Sequence, residues 1–183
     1  DIVLIYAGRV HRKKQLELVI QAMYKLNQKG SVYKFIIVGS LDDDSYANQL
    51  KKLSIKLNQN KNIVWHDEVP SKDLATFFAL SDIFCLPSKI EGVSMSITEA
   101  MKAGVAILTS WGTANASEIN KDEAGIIVGQ SGDEVAQAIK IMTSSEEVLE
   151  SYKVNAQKSF SKRYSIDSVA AETVKYYRHI NGN

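Results

Sequence analysis

One cysteine, two prolines and no long apolar run set the first limits on this chain. A single thiol, Cys85, excludes an internal disulfide. Set inside Ile83-Phe84-Cys85-Leu86, it reads as a small buried apolar side chain. Two prolines and the lack of any low-complexity tract argue against linkers and for one domain across residues 1–183. No stretch approaches the ~18 consecutive apolar residues of a membrane span, and no signal-peptide pattern is visible. The chain opens on Asp1 rather than Met and enters a strand almost at once, so it is expected to be a piece of a longer protein. An excess of either charge is also missing: Lys and Arg total 22 against 21 for Asp and Glu. Near neutrality excludes a general nucleic-acid grip, which needs a broad basic surface, but permits one local basic patch. His11, His66 and His179 are scattered, no His or Cys pair has zinc-ligand spacing, and no Ser-His-Asp set or general base is inferable.

What the chain does have is alternation. Apolar runs that read as buried strands fall at Ile2–Ala7, Tyr33–Val38, Asn62–Trp65, Ile83–Leu86, Val105–Thr109 and Gly125–Val128. Helical spacing fills the gaps. Leu16, Val19, Ile20, Met23 and Leu26 precede a Gly30 stop, and Tyr46, Leu50, Leu53 and Leu57 form a second stripe. Leu74, Phe77 and Phe78 follow Pro70-Ser71. Val135, Ile139 and Met142 follow a capping box at Ser131-Gly132-Asp133-Glu134. Ser144-Ser145-Glu146-Glu147 opens another helix, and Val169, Thr173, Tyr176 and Ile180 stripe the last. Near-continuous apolar strands alternating with helices predict an α/β fold: a doubly wound, Rossmann-like parallel sheet with helices on both faces. Ligands of such sheets bind outside the carboxyl ends of the strands.

Five segments fall at those ends. Gly8-Arg9-Val10-His11-Arg12-Lys13-Lys14 carries a cation cluster just before a helix start, where positive charge is unfavourable by some tenths of a kcal/mol per residue. A bound pyrophosphate would resolve the conflict, and it suits both the fork of Arg9 and the point charge of Lys14. A solvated charge run is the plainer alternative. Val38-Gly39-Ser40 permits close backbone approach, for example to a base. His66-Asp67-Glu68-Val69-Pro70 is compatible with a pocket wall. Glu91-Gly92-Val93-Ser94-Met95-Ser96-Ile97-Thr98-Glu99-Ala100 places one carboxylate on a loop and one in a helix whose N-terminus forms an anion site. Sugar-phosphates offer both the anion and the hydroxyls such a segment could hold. Gly112-Thr113-Ala114-Asn115-Ala116-Ser117-Glu118 is rich in small residues that let a loop lie flat against a ligand or another loop. Asp42-Asp43-Asp44 tempts a metal assignment, but three adjacent carboxylates rarely converge on one cation, and they read better as the cap of the following helix.

Taken in order, Gly8-Arg9 with Lys14, Pro87-Ser88, Glu91-(seven residues)-Glu99, Ala100-Met101-x-Ala103-Gly104 and the Gly112…Glu118 loop resemble the retaining glycosyltransferases of family four, which have the GT-B fold. The resemblance covers essentially the whole chain and corresponds to the C-terminal, nucleotide-sugar-binding half of such an enzyme. It implies an N-terminal acceptor-binding domain elsewhere in the protein and a glycan or lipid-linked acceptor. It implies hexosyl transfer from a donor such as GDP-mannose or a UDP-hexose in surface-glycan synthesis, without a metal or other cofactor. It places the protein in the cytoplasm, with association at the inner membrane face through the other domain.

By that resemblance Arg9 and Lys14 neutralise the donor diphosphate, and Glu91 binds sugar hydroxyls. The amides of Val93, Ser94 and Met95, opened by Gly92, contact phosphate or sugar oxygens, and Glu99 holds the ribose. Gly8, Gly39, Asp67 and Val69 line the nucleotide. Family members usually carry glycine where this chain has Gln15, and Glu-Gly-Phe-Gly-Leu where it has Glu91-Gly92-Val93-Ser94-Met95. Two readings from other classes remain open at this point: a non-catalytic nucleotide-sugar-binding regulatory module, and a receiver or flavodoxin-like signalling domain using the acidic run.

Overall fold

A computed structural model describes residues 1–27, 32–41 and 44–180. Strands β1 (Ile2–Ala7), β2 (Tyr33–Val38), β3 (Ile63–His66), β4 (Ile83–Leu86), β5 (Ala106–Ser110) and β6 (Gly125–Val128) alternate with helices α1 (Leu16–Asn27), α2 (Asp44–Lys56), α3 (Ser71–Ala79), α4 (Met95–Lys102) and α5 (Ala116–Lys121). Helices α6 (Gly132–Met142), α7 (Glu146–Arg163) and α8 (Ile166–Ile180) complete the chain. The strands form one sheet in the order β3-β2-β1-β4-β5-β6, and every pairing is parallel. This is the doubly wound fold the alternation predicts.

The burial pattern explains why these residues form strands. All four residues of β4 and all five of β5 are buried, so they need no polar face. Cys85 is among them, fully buried. Helix α1 packs against α6, and α4 against α7, so these stripes find a partner besides the sheet. Helix α8 differs: none of its residues is buried. Among the described residues, no helix is long and apolar enough to cross a membrane.

Two strands begin one residue later than their apolar runs suggest. Asn62 closes a 3-10 turn, with its N–H donating to the Gln59 carbonyl at 2.9 Å, so β3 runs from Ile63 and includes His66. The Val105 N–H is taken by the Ala100 carbonyl at 3.0 Å, which ends the preceding helix instead of starting β5. The proposed Gly30 stop and the Asp42-Asp43 part of the cap lie outside the described residues; Asp44 is the first residue of α2.

The order reverses between β1 and β4. Connections from β1 lead one way along the sheet, and those from β4 lead the other, so the loops after the two strands diverge and leave a crevice. Close approach of β1 and β2 deepens it. A Cβ on Gly39 (φ 149°) would stand 1.9 Å from the Gly8 carbonyl oxygen, so only glycine fits there.

Candidate functional site

The crevice holds a cleft of about 610 Å³. Its walls come from the ends of β1 and β2, the turn after β3, and the loop and first turns after β4. Of the residues singled out in the sequence, Gly8, Arg9, Lys14, Gly39, Val69, Glu91, Val93, Ser94, Met95 and Glu99 all line it. Two do not. Asp67 stays outside and its neighbour Glu68 lines the cleft instead; Gly92 is exposed, and a Cβ there would meet nothing within 4 Å.

The cation segment is built from below. Tyr6, buried at the end of β1, donates its hydroxyl to the Arg9 carbonyl at 2.7 Å. Burial pushes this phenol far above its usual pKa, and the Glu91 charge adds to the rise while Arg9 opposes it. Tyr6 therefore stays neutral and anchors the Arg9 turn. Residues Arg12–Lys14 then form a single 3-10 turn, capped by His11, whose Nδ1 accepts the Lys13 N–H at 3.2 Å.

This turn changes one expectation. The start of α1 is not an open anion site. The Leu16 N–H donates to the Tyr46 hydroxyl at 2.9 Å, and that hydroxyl donates in turn to the Glu17 carboxylate. A tyrosine and an acidic residue thus satisfy the first turn. Lys14 turns away from it and pairs with Glu91 across the crevice.

Ser88 ties the loop after β4 to the β1 segment, and Thr109 and Thr113 tie β4 to β5. Ser88 Oγ donates to the Lys13 carbonyl at 2.8 Å, which also accepts the Lys89 N–H at 2.8 Å. Thr109 Oγ1 donates to the Leu86 carbonyl at 2.9 Å and meets Thr113 Oγ1 at 2.8 Å. The Gly112 loop lies flat against the Glu91 loop, as its small residues suggest: Glu91 N–H donates to the Gly112 carbonyl at 2.7 Å, and Ala114 N–H to the Glu91 carbonyl at 3.1 Å. Glu91 is thereby fixed by its backbone and not only by its charge.

Helix α4 starts at Met95, with Ser94 as its N-cap. Ser94 Oγ accepts the Ile97 N–H at 3.4 Å, and the Ser94 carbonyl accepts that of Thr98 at 3.2 Å. The serine in place of the usual glycine thus serves its own helix, with its hydroxyl 3.1 Å from that of Ser96. The amides of Met95 and Ser96 remain outside the helical ladder, and both residues line the cleft. No acidic residue occupies this first turn. Glu99 lines the same cleft from one turn further along.

The far wall combines Gly39, Ser40, Glu68, Val69, Ser71 and Leu74. Ser71 and Leu74 were not singled out as ligand-binding residues in the sequence, whereas Ser40, Glu68 and Ser96 fall inside segments that were, without a role of their own. Ser71 and Leu74 belong to the first turn of α3, and the first turn of a helix that follows a strand's carboxyl end is the signal that could have found them. Gln15, which replaces the glycine usual after the lysine, is buried at φ 52° in the left-handed region. Its Oε1 has no hydrogen-bond partner. The conformation explains why glycine is favoured there. Among the described residues, no group of three His, Cys, Asp or Glu side chains is placed to hold a metal ion.

A doubly wound sheet in this order, with a cleft at its switch point, defines a Rossmann-like α/β domain. The family described as glycosyl transferases group 1 matches residues 1–159, and the chain belongs to that family. Membership sets aside the receiver and flavodoxin-like reading. The capsular polysaccharide biosynthesis glycosyltransferase CapM of Staphylococcus aureus is 26% identical over 179 residues, spanning 97% of this chain and 46% of that protein. The crystal structure of the C-terminal domain of a glycosyl transferase group 1 family protein (LpcC) from Francisella tularensis superposes with a TM-score of 0.81 at 20% identity, over 90% of this chain and 87% of that one. Anabaena Alr3699/HepE in complex with UDP-glucose superposes with a TM-score of 0.85 at 16% identity, over 98% of this chain and 49% of that one. At these identities the two structures establish a shared fold. The chain spans about half the length of the curated relatives it matches.

Proposed function

We propose that this chain is the donor-binding domain of a retaining glycosyltransferase that moves a hexosyl group from a nucleoside-diphosphate sugar to a glycan or lipid-linked acceptor. One observation carries the reading: Arg9, Lys14, the open N-terminus of α4, Glu91 and Glu99 all face one cleft. Two cations and two amides suit a diphosphate, and two carboxylates suit hydroxyls. The Anabaena complex with UDP-glucose supports a nucleotide-sugar ligand. The capsular polysaccharide relative supports a surface-glycan product.

In this reading Arg9, Lys14 and the amides of Met95 and Ser96 hold the diphosphate and stabilise the charge that develops as it departs. Preplaced donors of this kind supply the dominant catalytic term. Glu91 orients the sugar, Glu99 holds the ribose diol, and the wall from Gly39 to Leu74 faces the base. The acceptor oxygen bonds to the anomeric carbon on the face from which the diphosphate oxygen leaves. Its proton passes to that departing oxygen, so no protein base is required. The diphosphate is neutralised by side chains and amides without a metal. The acceptor site belongs to the other half of the protein, so this domain alone binds donor and transfers little. The donor implies a cytoplasmic site of action.

The test is calorimetry of this chain against GDP, UDP and their hexose conjugates, with and without EDTA. Saturable binding that survives EDTA is expected; no binding to any of them would overturn the reading. Glu99→Ala should weaken nucleotide binding and Glu99→Gln less so, because an amide oxygen still accepts from the ribose; wild-type affinity in both would refute the ribose role.

A further inference from the structure

We propose that the Lys14–Glu91 ion pair makes this cleft discriminate between a nucleotide sugar and the bare nucleoside diphosphate that remains after transfer, disfavouring the latter. The inference rests on the donor reading above and adds to it a means of product release.

The pair joins residues 77 apart in sequence. Their side chains are only 18% and 25% exposed, so neither charge is fully solvated when separated from the other. The backbone on each side of the pair is held in place, so only the side chains can rearrange. The Glu91 backbone is fixed on both sides by Gly112 and Ala114, and the residue before Lys14 is held through its carbonyl by Ser88 and Lys89. The nearby Tyr6 hydroxyl offers no substitute partner, because it is already given to the Arg9 carbonyl. Losing Lys14 thus leaves the Glu91 carboxylate without its cation in a half-closed place.

A diphosphate seated on the start of α4 draws Lys14 toward itself. It thereby removes the partner of Glu91 and brings like charge close to it. A bare nucleoside diphosphate returns nothing, having no donor group beyond its phosphates on that side. A nucleotide sugar returns its hydroxyls, which donate to the carboxylate that Lys14 has left. The same substitution of partners that is complete for the donor is incomplete for the product. The penalty falls on the product alone, and the residue that orients the sugar also drives the product out.

Glu91→Gln tests this, because it keeps the size of the side chain and removes its charge. Calorimetry on this chain should show GDP or UDP binding tightened roughly 3- to 10-fold by the substitution, while the corresponding hexose conjugate is weakened. Glu91→Ala, which cannot accept from Lys14 at all, should tighten the bare diphosphate in the same direction, and circular dichroism and thermal melting confirm that both variants fold. If wild type binds the diphosphate, Lys14→Ala weakens it, and neither Glu91 variant tightens it, the donor reading stands and the discrimination is refuted. If wild type binds neither diphosphate nor conjugate, both fall together.

Discussion

Helices α4 and α6 both begin at a serine cap, and they end up as opposites. Ser131 Oγ accepts the Glu134 N–H at 3.2 Å, and Glu134 reaches back to accept the Gly129 N–H at 2.7 Å. Asp133, next to them, pairs with Lys25. The start of α6 is thus complete within its own chain: donors capped, dipole matched by two acidic residues, charge answered by a lysine. At α4 the serine satisfies one amide, no acidic residue lies in the first turn, and Arg9 and Lys14 line the same cleft. The difference is the one the proposed diphosphate site uses. A helix end that its sequence closes serves stability, and one that it leaves open toward a cleft is available to an anion.

The comparison breaks most visibly at Lys14. Lys14→Ala should lower affinity for GDP or UDP about 10- to 100-fold, equivalent to roughly 1.5–3 kcal/mol for a lost charge-assisted hydrogen bond. Arg9→Ala should act in the same direction. Titration calorimetry decides it, and wild-type affinity in both variants would refute an anion site beside α4.

A second closed cluster extends the contrast to the side of the sheet away from the cleft. Asp122, after α5, accepts from Arg163 Nε at 2.8 Å and Nη2 at 3.0 Å, and from Ser159 Oγ at 2.7 Å. Arg163 first and Ser159 next hold this carboxyl well below its usual pKa, against the opposing effect of burial. Because the folded pKa is depressed, the stabilisation is fully present above the unfolded carboxylate range and fades as pH falls through the folded value. Asp122→Asn should therefore cost about 1–3 kcal/mol at pH 7 by urea unfolding. The gap between mutant and wild type should narrow as the pH drops below the ordinary carboxylate range. A gap that does not vary with pH would show that the ion pair contributes nothing.

Glu134→Ala sharpens the contrast directly. It opens α6 as α4 is open, and should cost about 1 kcal/mol, a fall in Tm of roughly 2–4 °C, without any change in nucleotide affinity. An effect on binding would mean the two helix starts are coupled. The smallest effect concerns Gln15. Gln15→Gly relieves a left-handed residue and removes a buried unpaired carbonyl, against the loss of the side chain's packing. A net gain of about 1 kcal/mol or less is expected in the same unfolding assay, and a loss would show that packing of the Gln15 stem outweighs both.

Much of this was legible in the residues themselves. Continuous apolar runs and the 3.6 period are local properties, so the six strands and the helices between them could be read within a residue or so, as could the capping box at Ser131. The spacing from Glu91 to Glu99 likewise set one carboxylate on the loop and one in the helix, because three residues and a turn are fixed by helix geometry. Errors arose where a backbone group had a choice of partner. Asn62 and Val105 stand at the head of apolar runs, but their amides are taken by Gln59 and Ala100.

The sequence by itself thus determined the elements, their order and the set of segments that meet at the carboxyl edge, since right-handed crossovers between parallel strands leave few alternatives. Tertiary structure alone decided which side chains face one another. It closed the start of α1 with Tyr46, 30 residues away, and left that of α4 open. It turned Glu68 rather than Asp67 into the cleft, and it joined Lys14 to Glu91. The reason is physical: a residue's conformation depends on its neighbours in the chain, whereas the partner of its charge depends on which strand the sheet places alongside.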